Sequence, residues 1–526
     1  MKVRLFFVFV LLPWVVTFPV RCFSEVQHKK AAAPPKKVFG MKNVTDRALK
    51  MAKMPFQDPF GRIPKFLLEL NYDKWRNMRF KPEKSLWRAE KLPFELQFFH
   101  PGFYYNIPVQ INMVSPSGLE KVSFSSDYFD YGSNDFKARV TDDVGFAGFR
   151  IHCNINTKTY KDELVVFLGA SYFRAVAKGQ AYGLSARGVA VDTGLSSGEE
   201  FPFFKEFWIV KPGINDNKIT VYALLDSPRL TGAYCYVITP GKETLIDVSS
   251  TLFKRKEVGK LGIAPLTSMF FYGENTNVRP ADDFRPEVHD SDGIQLALKS
   301  GELLWRPLVN PKALWINSFQ ADNIVGFGLV QRDINFDHYQ DLETHYQSRP
   351  SVWITPKGDW GRGVVELIQI PSATEINDNI IVLWKPEQVN PVDKPISYEY
   401  TMKWYFSDQT QLPTGWVVAT RTAATDDPNT RIFLIDFAGA ELEKIEENSG
   451  VDAVITVPSG CRLLEQQVIK NNLTGVWRLT FKVQAEVSDN LVDKVLPDKK
   501  PVFELRAFLR RGKNIISETW SFGTRL

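Results

Sequence analysis

From Phe94 onward, apolar and polar residues alternate in short runs. Phe94, Leu96 and Phe98 alternate with Glu95 and Gln97, and Ile107, Val109, Ile111 and Met113 repeat the pattern. A period of two sends successive side chains to opposite faces of an extended strand, one of them toward a core. Similar runs recur at residues 163–166, 218–225, 233–238 and 364–370, and turn clusters such as SPSG (115–118) and LSSGEE (195–200) separate several of them. Many short strands with almost no long helices predict an all-β fold built on a sandwich. Brief helical patterns are confined to residues 43–90, among them a short helix from Thr45 to Met54 with Asn43 placed to cap it.

A polar, proline-containing stretch at 407–415 (SDQTQLPTG) reads as a domain joint. Beyond it Trp477, Leu479, Phe481, Val483, Ala485 and Val487 form one strand face, and Phe503, Leu505, Ala507 and Leu509 form another. The turn Arg511-Gly512-Lys513-Asn514 then leads into a run from Ile515 to Phe522. The expectation is a large sandwich over residues 25–407 and a smaller, immunoglobulin-like sandwich over 414–526.

Composition narrows the function classes. At 526 residues, 44% hydrophobic and 24% charged, the chain is neither disordered nor fibrous and is long enough for two or three domains. Aromatic residues reach 13%, with 39 Phe, 17 Tyr and 13 Trp, which favours strands and ring-shaped ligands. Lys2 and Arg4 precede an apolar stretch from Leu5 to Val20, the layout of a secretory signal peptide over residues 1–24. The formal charge of +5 drops to +2 when Lys2, Arg4 and Arg21 leave with that peptide, so global charge gives no support to a nucleic-acid partner. The run KKAAAPPKK (29–37) reads as a solvated tether. Cysteines at 22, 153, 235 and 461 have neither disulfide-framework nor zinc spacing. Buried thiols are the plain reading, with a Cys153–Cys235 bridge left open.

Several motifs carry no chemistry. GLSARG (183–188) has Arg187 where a nucleophile elbow needs glycine, and Gly326 and Gly328 lack the third glycine of a dinucleotide site. The six histidines show no ligand spacing, so no metal and no cofactor is expected. What remains is acid among aromatic rings. Residues 270–293 carry Asp282, Asp283, Glu287, Asp290 and Asp292, residues 331–349 form a second acidic, aromatic stretch, and Trp353, Trp360, Glu375 and Asp378 follow. Rings stack on pyranose faces and paired carboxyls divide acid and base roles, so this composition fits a sugar site. Tyr346, Trp353 and Trp360 are the candidate platforms, with Arg349, Asp359 and Arg362 as hydroxyl donors or acceptors.

Longer motifs go further. LGASYFRAVAKGQAYGLSARGVAVDT (168–193), SGEEFPFFKEFWI (197–209), YALLDSPRLTGAY (222–234), PLTSMFFYGEN (265–275), FRPEVHDSDG, WRPL (305–308), RPSVWITPKGDWGRG (349–363) and NDNI (377–380) together resemble the osmoregulated periplasmic glucan biosynthesis proteins, the G and D family. The resemblance is strong from Phe94 to Trp404 and weaker beyond. It implies a galactose-mutarotase-like β-sandwich followed by an immunoglobulin-like domain, in a periplasmic protein needed for making glucose-based, β-1,2-linked glucans, with members acting as endo-β-1,2-glucanases. It puts the general acid on Asp378 and the general base on Asp290, and it brings Glu375 and Tyr346 to the site. It also implies an inverting reaction in which the acid's proton is relayed through a substrate hydroxyl. Family members tend to show a QRxR pattern; read from Gln331, its last position here is Ile334. Two other readings stand beside the hydrolase: a non-catalytic glucan-binding partner of a membrane glucosyltransferase, and a transglycosylase or cyclising enzyme.

Overall fold

Strands with one apolar face bury it by packing sheet against sheet, and two large sheets here do so. The structure, a computed structural model, describes residues 39–277, 279–407, 412–486 and 502–525. The expected signal peptide, the tether at 29–37, the centre of the joint (408–411) and Val487 lie outside the described residues. One sheet of ten strands begins at Phe94–Phe99 and Gly148–Cys153 and runs through Leu261–Ser268 and Ile380–Pro386 to Trp315–Asp322. A second sheet of fifteen strands runs from Val451–Thr456 to Gly118–Lys121.

The two sheets meet through aromatic rings. Phe149 and Phe167 of the first face Phe207 and Tyr236 of the second, with ring centroids 5.0 Å apart for Phe149–Phe207 and 5.4 Å for Phe167–Tyr236. All four are essentially buried. Each such ring contributes on the order of 2–3 kcal/mol of apolar burial. A smaller core, with Phe433, Phe481, Trp520 and Phe522, lies beyond residue 416 and takes in Trp305 and Val330 from earlier in the chain. Residues 40–526 form one compact unit. The long sheet is continuous across both cores, because Leu303–Pro307 pairs in parallel with Thr519–Thr524, Trp305 opposite Trp520.

The all-β expectation holds, and several local details differ from it. Glu95 and Gln97, the polar partners in the first alternating run, are buried. Glu95 pairs with Lys161 at 2.8 Å and Arg88 at 3.2 Å, and Gln97 donates to Ser85 at 3.1 Å, so neighbouring segments cover both faces of that strand. The first helix is Met41–Ala52, and Asn43 sits inside its first turn, accepting from the Gly40 N–H at 2.9 Å. Cys153, Cys235 and Cys461 are free thiols. Cys153 is buried in its strand and Cys235 half-buried in its own. The pattern from Trp477 to Ala485 is as read, with alternate residues buried.

Candidate functional site

Asp290 and Asp378 are 88 residues apart, yet two adjacent backbone residues hold both. The Asp290 N–H donates to the Met269 carbonyl at 2.8 Å. Asn379, next to Asp378, brackets Phe270: its Oδ1 accepts from the Phe270 N–H at 2.9 Å and its Nδ2 donates to the Phe270 carbonyl at 2.9 Å. The same Nδ2 donates to the Ile370 carbonyl at 3.1 Å, closing the base of the 371–378 loop. Asn310 pins that loop again through Ser372, bonding its carbonyl at 2.8 Å and its N–H at 2.9 Å. Buried amides with both ends satisfied are costly to displace, so each aspartate leaves a fixed backbone.

The side chains differ in access. Asp290 is 4% exposed and its Oδ1 accepts from Arg349 Nη1. Asp378 is open, its side chain 30% exposed, with Arg174 Nη2 3.7 Å away. Arg349 feels the like charge of Arg174 and the opposite charges of Glu375 and Asp378, so one electrostatic neighbourhood spans both aspartates. Gly183 makes room for this arginine: a Cβ there would stand 2.9 Å from the Arg349 Cβ. Glu375 accepts from the Tyr346 hydroxyl at 3.0 Å and from Arg285 at 2.7 Å. Arg285 also binds Asp283 at 2.7 Å and Asp341 at 3.1 Å. Burial, with Glu375 beside it, holds the Tyr346 phenol well above its usual range, so its hydroxyl acts as a donor.

The aromatic expectations need correction. Trp360 is 5% exposed and packs edge-on against Tyr398 and Tyr400, its Nε1 donating to the Glu399 carbonyl at 3.2 Å; it is core. Tyr346 is 2% exposed, with Arg349 4.1 Å above its ring and Tyr339 at 5.6 Å, so it offers no open stacking face. The acids around it did not prevent burial because Arg285 and backbone N–H groups absorb Asp341, which they hold at about 2 against the opposing effect of burial. Trp353 is half-buried and lines a different hollow, together with Ile334. Asp359 caps the turn after it, accepting from Gly361 at 2.7 Å, and Arg362 faces Glu387 at 3.5 Å.

The family model described as "Periplasmic glucan biosynthesis protein, MdoG" matches residues 39–524. The chain belongs to the MdoG family. Glucans biosynthesis protein G of Ralstonia nicotianae is 46% identical over 503 residues, covering 94% of this chain and 97% of its own. Among solved structures, a polysaccharide lyase covers 72% of this chain and 44% of its own at TM-score 0.20 and 10% identity. A chondroitinase AC lyase covers 68% and 51% at TM-score 0.22 and 10% identity. Those two likenesses are too slight to bear on an MdoG-family chain.

Beside the aspartates this MdoG-family chain carries a buried polar cluster that the sequence pattern did not reveal. His289 turns away from Asp290 and bonds Glu287 at 2.9 Å and Gln331 at 3.1 Å, with Asp292 at 3.2 Å. Its ring stacks on Phe270 at 5.3 Å, the residue that anchors Asn379. His338 joins Glu287 at 3.2 Å and Asp333 at 3.3 Å. Glu287, His289 and Asp333 hold ligand-type atoms within 4.8 Å of one another, a spacing that admits a metal, but these atoms are already partnered within the cluster. Arg174 and Asn379 lay inside the quoted motifs, and their contacts mark them as site-building residues.

The cluster makes stability depend on pH. Burial, with Asp333 nearby, raises Asp292 to about 7, and His289, against burial, is raised to about 9 by Asp292 and Glu287. Both native values lie above the ordinary ones, so the stability they contribute is present at low pH and lost as pH rises through about 7 and about 9. Glu287 is held at about 2 against burial by His289 and His338, so its contribution is lost only in strong acid. Thermal melts should therefore show a higher midpoint near pH 5–6 than at pH 9, and the His289→Gln variant a flatter alkaline limb. A midpoint that climbs steadily toward pH 9 contradicts this account.

Proposed function

We propose that this chain cleaves β-1,2-linked glucan in the periplasm as an inverting endo-glycoside hydrolase, after export directed by its N-terminal segment. The observation that carries the reading is that Asp290 is anchored on Met269 and Asn379, the neighbour of Asp378, on Phe270, with Arg349 on Asp290 and Arg174 beside Asp378. Asp290, beside the Arg349 guanidinium, accepts a proton from the attacking water. The water oxygen bonds to the anomeric carbon as the glycosidic bond breaks. Asp378 supplies the proton that reaches the leaving oxygen by way of a substrate hydroxyl, and solvent exchange restores both carboxyls. Because Arg349 covers Asp290, the base becomes accessible only when substrate draws the guanidinium aside. Glu375 lies beside the acid with Tyr346 and Arg285 holding its carboxylate.

Incubating the full chain with linear β-1,2-glucan should release shorter chains whose new reducing ends first appear in the inverted configuration. Binding without cleavage would favour a non-catalytic partner of a membrane glucosyltransferase, and rings or lengthened chains a transferase. Tyr346→Phe removes only the hydroxyl on Glu375. It should cut turnover about tenfold, as the loss of one charge-assisted hydrogen bond predicts, while the melting midpoint stays within a few degrees. Full turnover in that variant removes the phenol from the working site.

A further inference from the structure

Gly326 and Gly328, which make no dinucleotide site, have a different use. They alternate on one face of the strand Gly326–Val330, and Trp353 on the neighbouring strand Ser351–Lys357 stands opposite Gly328. A Cβ on Gly326 would meet three indole atoms, Cζ2, Cε2 and Nε1, at 2.4, 2.6 and 2.8 Å. One on Gly328 would stand 3.1 Å from Cε3. The indole therefore fills the space that two side chains would take and packs directly on bare backbone. Its body leans along the neighbouring strand, across both glycines, rather than standing upright as strand side chains usually do.

Above it is a hollow of about 600 Å³, within the range of small-ligand pockets. Ile334, Tyr405 and Phe406 form walls, and three lysines, Lys178, Lys242 and Lys403, stand around it against the single carboxylate of Glu243. Lys403 reaches Glu243 at 3.4 Å and lies 4.5 Å from the Tyr405 ring centroid. Among the described residues, Lys178 and Lys242 have no ion-pair partner. Neither Asp290 nor Asp378 lines this hollow. Trp353 lies four residues beyond Arg349, roughly 13 Å along an extended strand.

We propose that the hollow is a second saccharide-binding site, in which Trp353 carries a pyranose ring of a glucan strand and the lysines select strands bearing an acidic substituent. The sugar class rests on the glucan reading above; the site itself does not require that the chain cleave glucan. An indole backed by glycines and lining a hollow offers it apolar ring surface, which suits the C–H face of a sugar ring. The excess of ammonium groups at the rim attracts an anion and repels a cation.

The test is calorimetric titration of the full-length Asp378→Asn chain, with and without Trp353→Ala, using linear β-1,2-gluco-oligosaccharide either neutral or lightly carboxymethylated. Trp353→Ala should weaken both about tenfold. The carboxymethylated probe should bind about fivefold tighter than the neutral one at low salt, and that preference should vanish in molar salt or in Lys178→Ala/Lys242→Ala. Unchanged affinity in Trp353→Ala with an unchanged melting midpoint overturns the platform. If Trp353→Ala does not fold, the lysine variant decides, and a preference that survives in it overturns the site. Displacement of the sugar by a poly-glutamate peptide at equal concentration assigns the hollow to a protein partner instead. Whether the wild-type chain cleaves glucan is read in a separate assay, so the two proposals fail separately.

Discussion

Asp378→Asn is expected to lower cleavage of linear β-1,2-glucan by about a thousandfold or more, the scale of losing a positioned general acid. Asparagine keeps the size and hydrogen bonding of the side chain but has no proton to transfer. The fold should not notice, because Asp378 is open and its nearest cation, Arg174, is 3.7 Å away and itself 44% exposed. Surface pairs of that kind are worth about 0–1 kcal/mol. The checks are reducing-end release, the melting midpoint and glucan affinity measured on one preparation. More than a tenth of wild-type turnover would show that another group donates the proton.

The largest stability effect is expected at the pair Arg332–Glu518. Arg332 donates from Nη1 and Nη2 to the two Glu518 oxygens at 2.6 and 3.0 Å, and both side chains are buried. The same arginine donates to the Val417 carbonyl at 2.6 Å and lies 3.5 Å above the Trp305 ring, while Val417 N–H donates back to Glu518 at 2.8 Å. Glu518→Ala leaves a buried guanidinium without its bidentate carboxylate and should cost about 3–5 kcal/mol in denaturant unfolding. The double variant Arg332→Met with Glu518→Leu removes both charges and should recover most of that loss. A single variant within about 0.5 kcal/mol of wild type would mean that water reaches the pair after all.

What was legible in the sequence was whatever depends on neighbours along the chain. The period-two runs found the strands, and RGKN marked a turn that does pair Arg511 with Asn514. The aspartates were found through long motifs rather than through chemistry, since a single acid in a polar loop looks like any other. Burial was misjudged wherever a distant segment supplied the cover. Glu95 is sheltered by Lys161, Tyr346 packs with Met269, Tyr272 and Val288, and Trp360 packs against Tyr398 and Tyr400. The His289 cluster was hidden for the same reason, as its members lie at 287, 292, 331 and 338 and share no local spacing. Asn379 was in view inside NDNI, but its bonds to a backbone 109 residues earlier were not.

The pairing of Leu303–Pro307 with Thr519–Thr524 has a consequence for the order in which the chain folds. Thr519–Thr524 links Val451–Thr456 and Phe503–Arg511 to the rest of the fifteen-stranded sheet, and it comes 215 residues after its partner Leu304. Until it arrives, Leu303–Pro307 is a free edge able to recruit a strand from another molecule. Contacts so distant in sequence also form slowly. A chain cut short near residue 515 should therefore accumulate as aggregate rather than as a truncated but working protein. Thr519–Thr524 thus works as a clasp: the sheet's edge stays open until this segment is in place.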